Sequence, residues 1–216
     1  MKIKFIICIL LLSVSLISPL KAETVFFDSK NILIEENGNM YFATEGTAKI
    51  PSRNLKIEGD KFIYNKQLSE LTVLDDVKYF DDKNSIYIES QKLIYNEIDN
   101  TVFSKNETLI ISEDTYEINS SDVLLDRNLN KISSNKFTIV NDNKENRFIF
   151  SRGLVFNTIR EIISSKKVLV TDKNENNYFF EDSKINLKIN EIVGKEVLVD
   201  FEDSFFGNEN NDPLLK

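Results

Sequence analysis

The residues of this chain that could do chemistry are carboxylates, because the other common catalytic side chains are missing. The sequence contains no histidine and no tryptophan, and its one cysteine is Cys8. This composition excludes histidine-based acid–base catalysis and most transition-metal sites. The acidic residues that stand side by side or close together are Glu35-Glu36, Asp75-Asp76, Asp81-Asp82 and those of the segment 141–145.

Two carboxylates facing one cleft would suit a glycosidase, but these acids fall at turns between predicted strands. Asp and Asn favour turns because their side chains and backbone suit turn geometry. Solvated turns are therefore the better interpretation. The segment 172–182 lacks both the ligand spacing and the central glycine of a calcium loop. We predict a protein that is not an enzyme and that uses no metal and no cofactor.

The carboxylates are positioned by short β-strands, and the segment 55–80, LKIEGDKFIYNKQLSELTVLDDVKYF, is typical of them. Leu55 and Ile57 share one face, Gly59 stands at a corner, and Phe62 and Tyr64 resume the apolar face. Apolar residues two positions apart indicate strands, whereas a helix would repeat them every 3.6 residues. The segment predicts two or three strands, and we expect almost no helix in the mature chain.

The same pattern recurs six times along the chain with a period of about 30 residues. Each copy has an apolar anchor, an apolar residue two positions later, and then a polar turn. A repeat of this kind is typical of stacked units that bury their apolar faces against each other. The anchors are Ile32, Phe62, Leu93, Val123, Leu154 and Ile185, and the turn residues are Glu35, Asn65, Asn96, Asp126, Asn157 and Lys188.

The apolar positions of the inner copies have two interpretations. If the stack closes on itself they form a dry core, and if its two layers are splayed they line a long apolar trough. The sequence leaves both open. The residues concerned are Ile57, Phe62, Tyr64, Ile88, Leu93, Tyr95, Ile118, Val123, Leu125, Ile149, Leu154 and Phe156.

The first 22 residues have the features of a secretory signal peptide. Lys2 and Lys4 precede a short apolar run, and Ala22 is a small residue at the predicted cleavage site. Cleavage would remove Cys8, so the mature chain could form no disulfide. It would keep 24 basic and 35 acidic residues, a net charge of −11, which does not suit nucleic acid. We expect one domain over 23–204 and a tail or linker over 205–216.

The repeat resembles the OstA-like domain of proteins that carry lipopolysaccharide to the outer membrane. The resemblance rests on DKFIYNKQLSELTVLDDVKYF at 60–80 and SQKLIYNEIDNTVFSKNETLI at 90–110. In both, a small or acidic residue precedes an apolar-x-aromatic pair, a polar turn and a second apolar strand. Within this family the chain is most similar to the N-terminal periplasmic domain of the LptD group, because NNDPLLK at 210–216 looks like that group's link to a membrane barrel.

The resemblance implies a fold, a function and partners. The fold is a twisted antiparallel β-jellyroll, an open V-shaped array of two sheets. The function is lipopolysaccharide transport and assembly at the outer membrane, with acyl chains held in the trough. The implied place is the periplasm next to the outer membrane. The implied partners are lipopolysaccharide, an LptA-like periplasmic bridge protein, an outer-membrane barrel and an LptE-like lipoprotein.

The sequence departs from the family in two ways. The 216 residues do not include the family's membrane barrel, so we expect a fragment, a truncated gene product or a free-standing domain. The cysteines that tie this domain to the barrel in relatives are also missing. We therefore keep two alternatives: a soluble bridge protein of the LptA type, and a structural or adhesive β-solenoid.

An open stack of strands leaves two edges with unpaired backbone groups, and such edges accept further strands. The first copy supplies one edge. It contains no proline between residues 25 and 35. By the resemblance, this edge would pair with the bridge protein through Val25, Phe27, Ile32 and Ile34.

Overall fold

The structure is a computed structural model that describes residues 25–143 and 146–202. Within these residues the chain is all-β, and its only helical segments are the single 3-10 turns Glu36–Gly38 and Pro51–Arg53. The all-β prediction is confirmed. The strands are β1 Phe26–Glu35, β2 Met40–Ile50, β3 Leu55–Asn65, β4 Glu70–Asp81, β5 Ile86–Asn96, β6 Thr101–Ser112, β7 Tyr116–Asp126, β8 Lys131–Ser134, β9 Thr138–Asp142, β10 Arg147–Phe150, β11 Leu154–Asn157, β12 Ile162–Thr171, β13 Asn177–Asn186, β14 Glu191–Lys195 and β15 Leu198–Asp200.

These 15 strands form one long, twisted antiparallel sheet. Strands β1 to β7 pair in sequence order. Strand β7 then pairs with both β8 and β9, which are two halves of one interrupted strand. Strands β10 and β11 are likewise two halves of one interrupted strand, because both pair with β12. Strand β13 pairs with β12 on one side and with β14 and β15 on the other. In the described part of the chain β1 pairs only with β2, so the sheet is open and not a closed barrel.

The long strands bend near their middle, at glycines in β2 and β3 and at Asp75-Asp76, which have positive φ, in β4. Gly46 of β2 lies opposite Gly59 of β3. A Cβ atom on Gly46 would lie 2.2 Å from the carbonyl oxygen of Asp28, and one on Gly59 would lie 2.5 Å from Cγ1 of Val73. Because real Cβ atoms do not approach so closely, only glycine fits this bend. The corner predicted at Gly59 is a bend in the sheet.

The bend divides the sheet into two half-sheets that face each other. The first half-sheet contains residues 55–58 of β3 with β9, β10 and β15, and the second contains residues 61–65 of β3 with β8, β11 and β14. Aromatic rings meet between them: the centroids of Phe27 and Phe62 are 6.0 Å apart. The residues buried on the two facing sides form one continuous hydrophobic core.

Turns at the outer edge of the second half-sheet share one hydrogen bond. An Asn or Asp side chain at the end of a strand accepts a backbone N–H three residues later, which fixes a tight turn. This geometry explains why the repeat keeps a polar residue there. The acceptor and donor pairs are Asn65 with Leu68 at 3.1 Å, Asn96 with Asp99 at 2.9 Å, Asp126 with Leu129 at 2.9 Å and Asn157 with Arg160 at 2.8 Å.

Candidate functional site

The interior between the half-sheets is the candidate site, and it contains most of the residues that the repeat pattern singled out. Their exposed fractions run from 0% to 7%. In the middle of the stack the facing side chains are in contact and the interior is a packed core. The residues placed there are Ile57, Phe62, Tyr64, Ile88, Leu93, Tyr95, Ile118, Val123, Leu125, Leu154 and Phe156.

Ile149 is the one residue of that set on the opposite face. In β10 it is Phe148 and Phe150 that are buried, and Ile149 is only partly covered. The reason is the spacing across the bend. Inner residues are five positions apart in β3, from Ile57 to Phe62, whereas the step from Phe150 to the inner residue of β11 is four. The fifth copy therefore has one residue fewer across the bend than β3 has.

A large part of the interior comes from strands that the anchor pattern did not single out. Strands β4, β6, β8 and β12 alternate with the anchor strands and bury residues of their own. A signal for them is present in the sequence, since these residues also recur at intervals of 30 or 31. The members of this second series are Leu71, Val102, Ile132 and Ile163, with exposed fractions of 0% to 1%.

Arg127 closes the mouth of the V in the middle of the stack. It follows β7 at the tip of the second half-sheet, and Asp81 ends β4 at the tip of the first. Nε of Arg127 donates to Oδ2 of Asp81 at 2.7 Å, and Nη2 donates to Oδ1 at 3.2 Å. Its remaining donors reach the side chain of Asn100 at 2.6 Å and the carbonyl of Arg53 at 3.0 Å. One guanidinium thus joins both tips.

This polar bridge is buried. The exposed fractions of the Arg127 and Asp81 side chains are 3% and 0%. Burial opposes the charge of Arg127, but its hydrogen bond to Asp81 and the neighbouring groups raise the pKa of Arg127 overall. Burial also raises the pKa of Tyr79 well above its ordinary value, and the adjacent Asp81 adds to the effect. The site favours charged arginine and neutral tyrosine.

The interpretation of Asp81 as a solvated turn residue is wrong. Asp81 does accept turn hydrogen bonds, from the backbone and side chain of Asn84 at 3.2 and 2.7 Å. Its carboxylate is nevertheless buried, because Arg127 from 46 residues further along the chain covers it. No local pattern indicates such a pair, since each residue alone looks like an ordinary turn residue. Glu35 and Glu36 lie at the turn after β1, as predicted. Asp75-Asp76 are not at a turn between strands but inside β4 at its bend, where Asp75 binds exposed Lys61 at 2.9 Å.

A second polar contact joins the tips further along the stack. The hydroxyl of Tyr116 in the first half-sheet donates to Glu161, beside β12 in the second, at 2.8 Å. The ring of Tyr116 packs edge-on against Phe156 with centroids 5.7 Å apart. Burial raises the pKa of Tyr116, and the hydrogen bond to Glu161 adds to it. This contact closes the mouth between β7 and β12.

Beyond that contact the interior opens as the C-terminal cleft, a space of about 370 Å³ between the half-sheets. Its floor is apolar, and one rim carries the polar side chains of Asn146, Asp172 and Tyr178. Sites for small organic ligands have roughly 300–1,000 Å³ and this same composition. The apolar lining residues are Phe148, Val170, Phe180, Ile185, Leu187 and Ile192.

Asp172 organises the polar rim. Its carboxylate accepts the backbone N–H groups of Asn174 and Asn176 at 2.8 and 3.0 Å and the hydroxyl of Tyr178 at 3.2 Å. Burial opposes the charge, but these hydrogen bonds lower the pKa of Asp172. Among the described residues no group of three or more acidic, His or Cys side chains is placed to hold a metal ion.

The two ends of the sheet are exposed. In β1, Ile32 and Ile34 lie on the inner face opposite Ala43 and Tyr41, with exposed fractions of 47% and 54%. Phe27 packs on the core, and Val25 is partly buried. No helix in the described ranges is long and apolar enough to cross a membrane. The predicted signal peptide, 1–22, and the whole predicted tail, 205–216, lie outside the described residues.

Comparison with protein-family models and with curated protein sequences finds no match.

Proposed function

We propose that this chain binds lipid acyl chains between its half-sheets and passes them on, as a lipopolysaccharide-transport domain at the outer membrane. The observation that carries the proposal is the C-terminal cleft, an apolar space at an open end of the stack. Burying each acyl methylene contributes about 0.8 kcal/mol. Several methylenes therefore suffice for binding without attraction between the acidic chain and a phosphorylated head group.

The test uses a photo-crosslinking amino acid at pairs of adjacent positions in periplasmic extracts of cells making lipopolysaccharide. Ile192 and Tyr178 line the cleft. Their neighbours Val193 and Phe179 point outward, with exposed fractions of 60% and 41%. Lipopolysaccharide should be captured at positions 192 and 178 and not at 193 and 179. Equal capture at all four positions would contradict the proposal.

A structural or adhesive β-solenoid is the second candidate, because the middle of the stack is a packed core closed by Arg127 and Asp81. A crosslinker at Tyr95, inside this closed part, separates the two functions. A transport domain must open its mouth for a chain to pass, so position 95 should capture lipid during transport. A solenoid with a permanent core should capture lipid neither there nor at position 192.

The proposal extends to partners and location. The exposed edge of β1 would pair with an LptA-like bridge protein, and the opposite end would face an outer-membrane barrel with its LptE-like lipoprotein. A soluble bridge protein of the LptA type would have the same cleft. Fractionation distinguishes them: an assembly domain sediments with outer membranes, whereas a bridge protein is released with the periplasmic contents.

A further inference from the structure

The two lips of the V differ in a way that neither the core nor the cleft requires. Turns at the edge of the second half-sheet carry an exposed Leu or Ile in five successive hairpins. We call this row the apolar lip. Its exposed fractions lie between 57% and 69%, so these side chains contribute little to the packing of the domain. The apolar lip consists of Leu68, Ile98, Leu129, Ile159 and Ile189.

The opposite edge provides an internal comparison. Its turns are made by the same strands and have similar lengths, yet none contains an aliphatic or aromatic residue. They read PSRN at 51–54, DKNS at 82–85, EDT at 113–115 and DKNEN at 172–176. Single exposed aliphatic residues are ordinary. A row confined to one lip and repeated at every hairpin after the first calls for a binding role.

The spacing indicates what the apolar lip contacts. Successive lip residues are two strands apart, or about 10 Å, because neighbouring strands are about 4.8 Å apart. Protein interfaces concentrate their binding energy in clustered Trp, Tyr and Arg side chains, and the lip has single, separated Leu and Ile. A bilayer accepts such a row, because each side chain enters the acyl region while its polar neighbours stay among the head groups.

The charge of the lip turns also favours contact with a bilayer. Without the buried Arg127 and Glu97, the five turns of the apolar lip contain four basic and five acidic residues. These turns lie at 65–70, 96–101, 126–131, 157–162 and 186–191. This near balance removes the repulsion that a strongly acidic surface meets at a membrane. We propose that the apolar lip, and not the polar lip, seats the domain on a zwitterionic lipid bilayer.

The chain has no tryptophan, so a single introduced one reports on its own surroundings. Ile98→Trp and Leu129→Trp place it on the apolar lip, and Ser52→Trp and Lys83→Trp place it on the opposite, polar lip. The probe is vesicles of phosphatidylcholine and phosphatidylethanolamine. Their addition should shift the emission of the first two variants to shorter wavelength and leave that of the other two unchanged. Shifts in all four or in none would overturn the proposal.

Removal of the lip gives a second measurement. The double variant Ile98→Asn, Leu129→Asn should weaken vesicle binding by roughly tenfold for each residue changed. Its thermal midpoint should stay unchanged, because both side chains are mostly exposed. Unchanged vesicle binding would overturn the proposal. A blue shift that appears without vesicles and grows with protein concentration would also overturn it, because the lip would then contact a second copy of the chain.

The apolar lip meets the C-terminal cleft only at its last turn. The tested lip positions 98 and 129 lie outside the cleft, so the two proposals fail independently. Loss of lipopolysaccharide capture at position 192 with an intact vesicle-induced shift at position 98 would remove only the proposed transport function. The reverse result would remove only the membrane contact.

Discussion

Arg127 is the residue on which the closed form of the mouth depends. Its guanidinium makes hydrogen bonds to the side chains of Asp81 and Asn100 and to the backbone of Arg53. These three partners come from three different turns, and two of the turns belong to the opposite half-sheet. A single buried side chain therefore decides whether the tips stay together.

Arg127→Met should lower the free energy of unfolding by about 3–5 kcal/mol, because it leaves the Asp81 carboxylate buried without its partner. Urea denaturation measures the change. Adding Asp81→Leu should recover much of the loss, since a buried ion pair replaced by apolar residues is often nearly neutral. The control is Lys167→Met, which removes an exposed ion pair 3.9 Å long and should leave the urea midpoint almost unchanged. A double variant no more stable than the single one would contradict this account.

Tyr79 makes the stability of the domain sensitive to alkaline pH. Burial raises the pKa of Tyr79 in the folded chain, so the folded state holds the phenolic proton at pH values where the unfolded chain has released it. The contribution is complete below the unfolded pKa of about 10 and is lost as pH rises towards the folded value. Tyr79→Phe should reduce the loss of stability above pH 10 by up to about 1.4 kcal/mol per pH unit. Parallel curves of unfolding free energy against pH for the unmodified chain and the Tyr79→Phe variant would contradict this prediction.

At the scale of the strands, the bends fall at glycines or at residues with positive φ, and the interrupted strands follow a change in residue spacing. Gly153 stands just before β11, after the break, and has φ of +84°. A Cβ atom there would lie 2.0 Å from the carbonyl oxygen of Ser134. Both its conformation and its surroundings require glycine.

Gly153→Ala should destabilise the domain more than Gly38→Ala does. Gly38 has a similar φ of +87°, but no atom lies within 4 Å of the place that a Cβ would take, so its substitution costs only the backbone strain of about 1–2 kcal/mol. The clash with Ser134 adds to that strain at position 153. Thermal unfolding of the two variants measures the difference, and equal midpoints would show that the backbone relaxes without loss.

The edge strand β1 is where a partner strand would add. Ile32→Pro should weaken pairing with a bridge protein, because proline disturbs the strand's hydrogen-bonding edge. Ile32 is a cleaner position than Phe27, whose ring packs on Phe62 and the core. A pull-down measures pairing, with lipid capture at position 192 as the control. Unchanged pull-down would contradict the edge assignment.

At the scale of the whole molecule, stability should be highest in the middle of the stack. Strands β3 to β7 contribute most of the residues that are fully covered, whereas in β14 and β15 nearly every residue is exposed. Hydrogen exchange should therefore be slowest in β4 to β6 and fastest in β14 and β15, because local opening is easiest where few apolar contacts are broken. Uniform protection along the chain would contradict this gradient.

The sequence was sufficient to predict the strands, the polar turns and eleven of the twelve interior residues, because all of these follow from alternation within one strand. Ile149 was misplaced because the number of residues across a bend depends on local backbone geometry. The pairing of Arg127 with Asp81 could not be predicted, because it depends on how two distant turns meet when the sheet folds over. The cleft could not be predicted for the same reason, because it depends on the space between the two half-sheets.

The strands that run through the bend also determine how the domain deforms. A continuous strand such as β5 carries force from one half-sheet to the other through its backbone, so widening the V there must change the curvature of every neighbouring strand at once. In three places the strand is interrupted, and its two halves are joined only by a short connection: β8 with β9, β10 with β11, and β14 with β15. These three places make the C-terminal third more compliant than the continuous strands β3 to β7. Widening of the V should therefore begin beside the cleft and meet its greatest resistance in those strands.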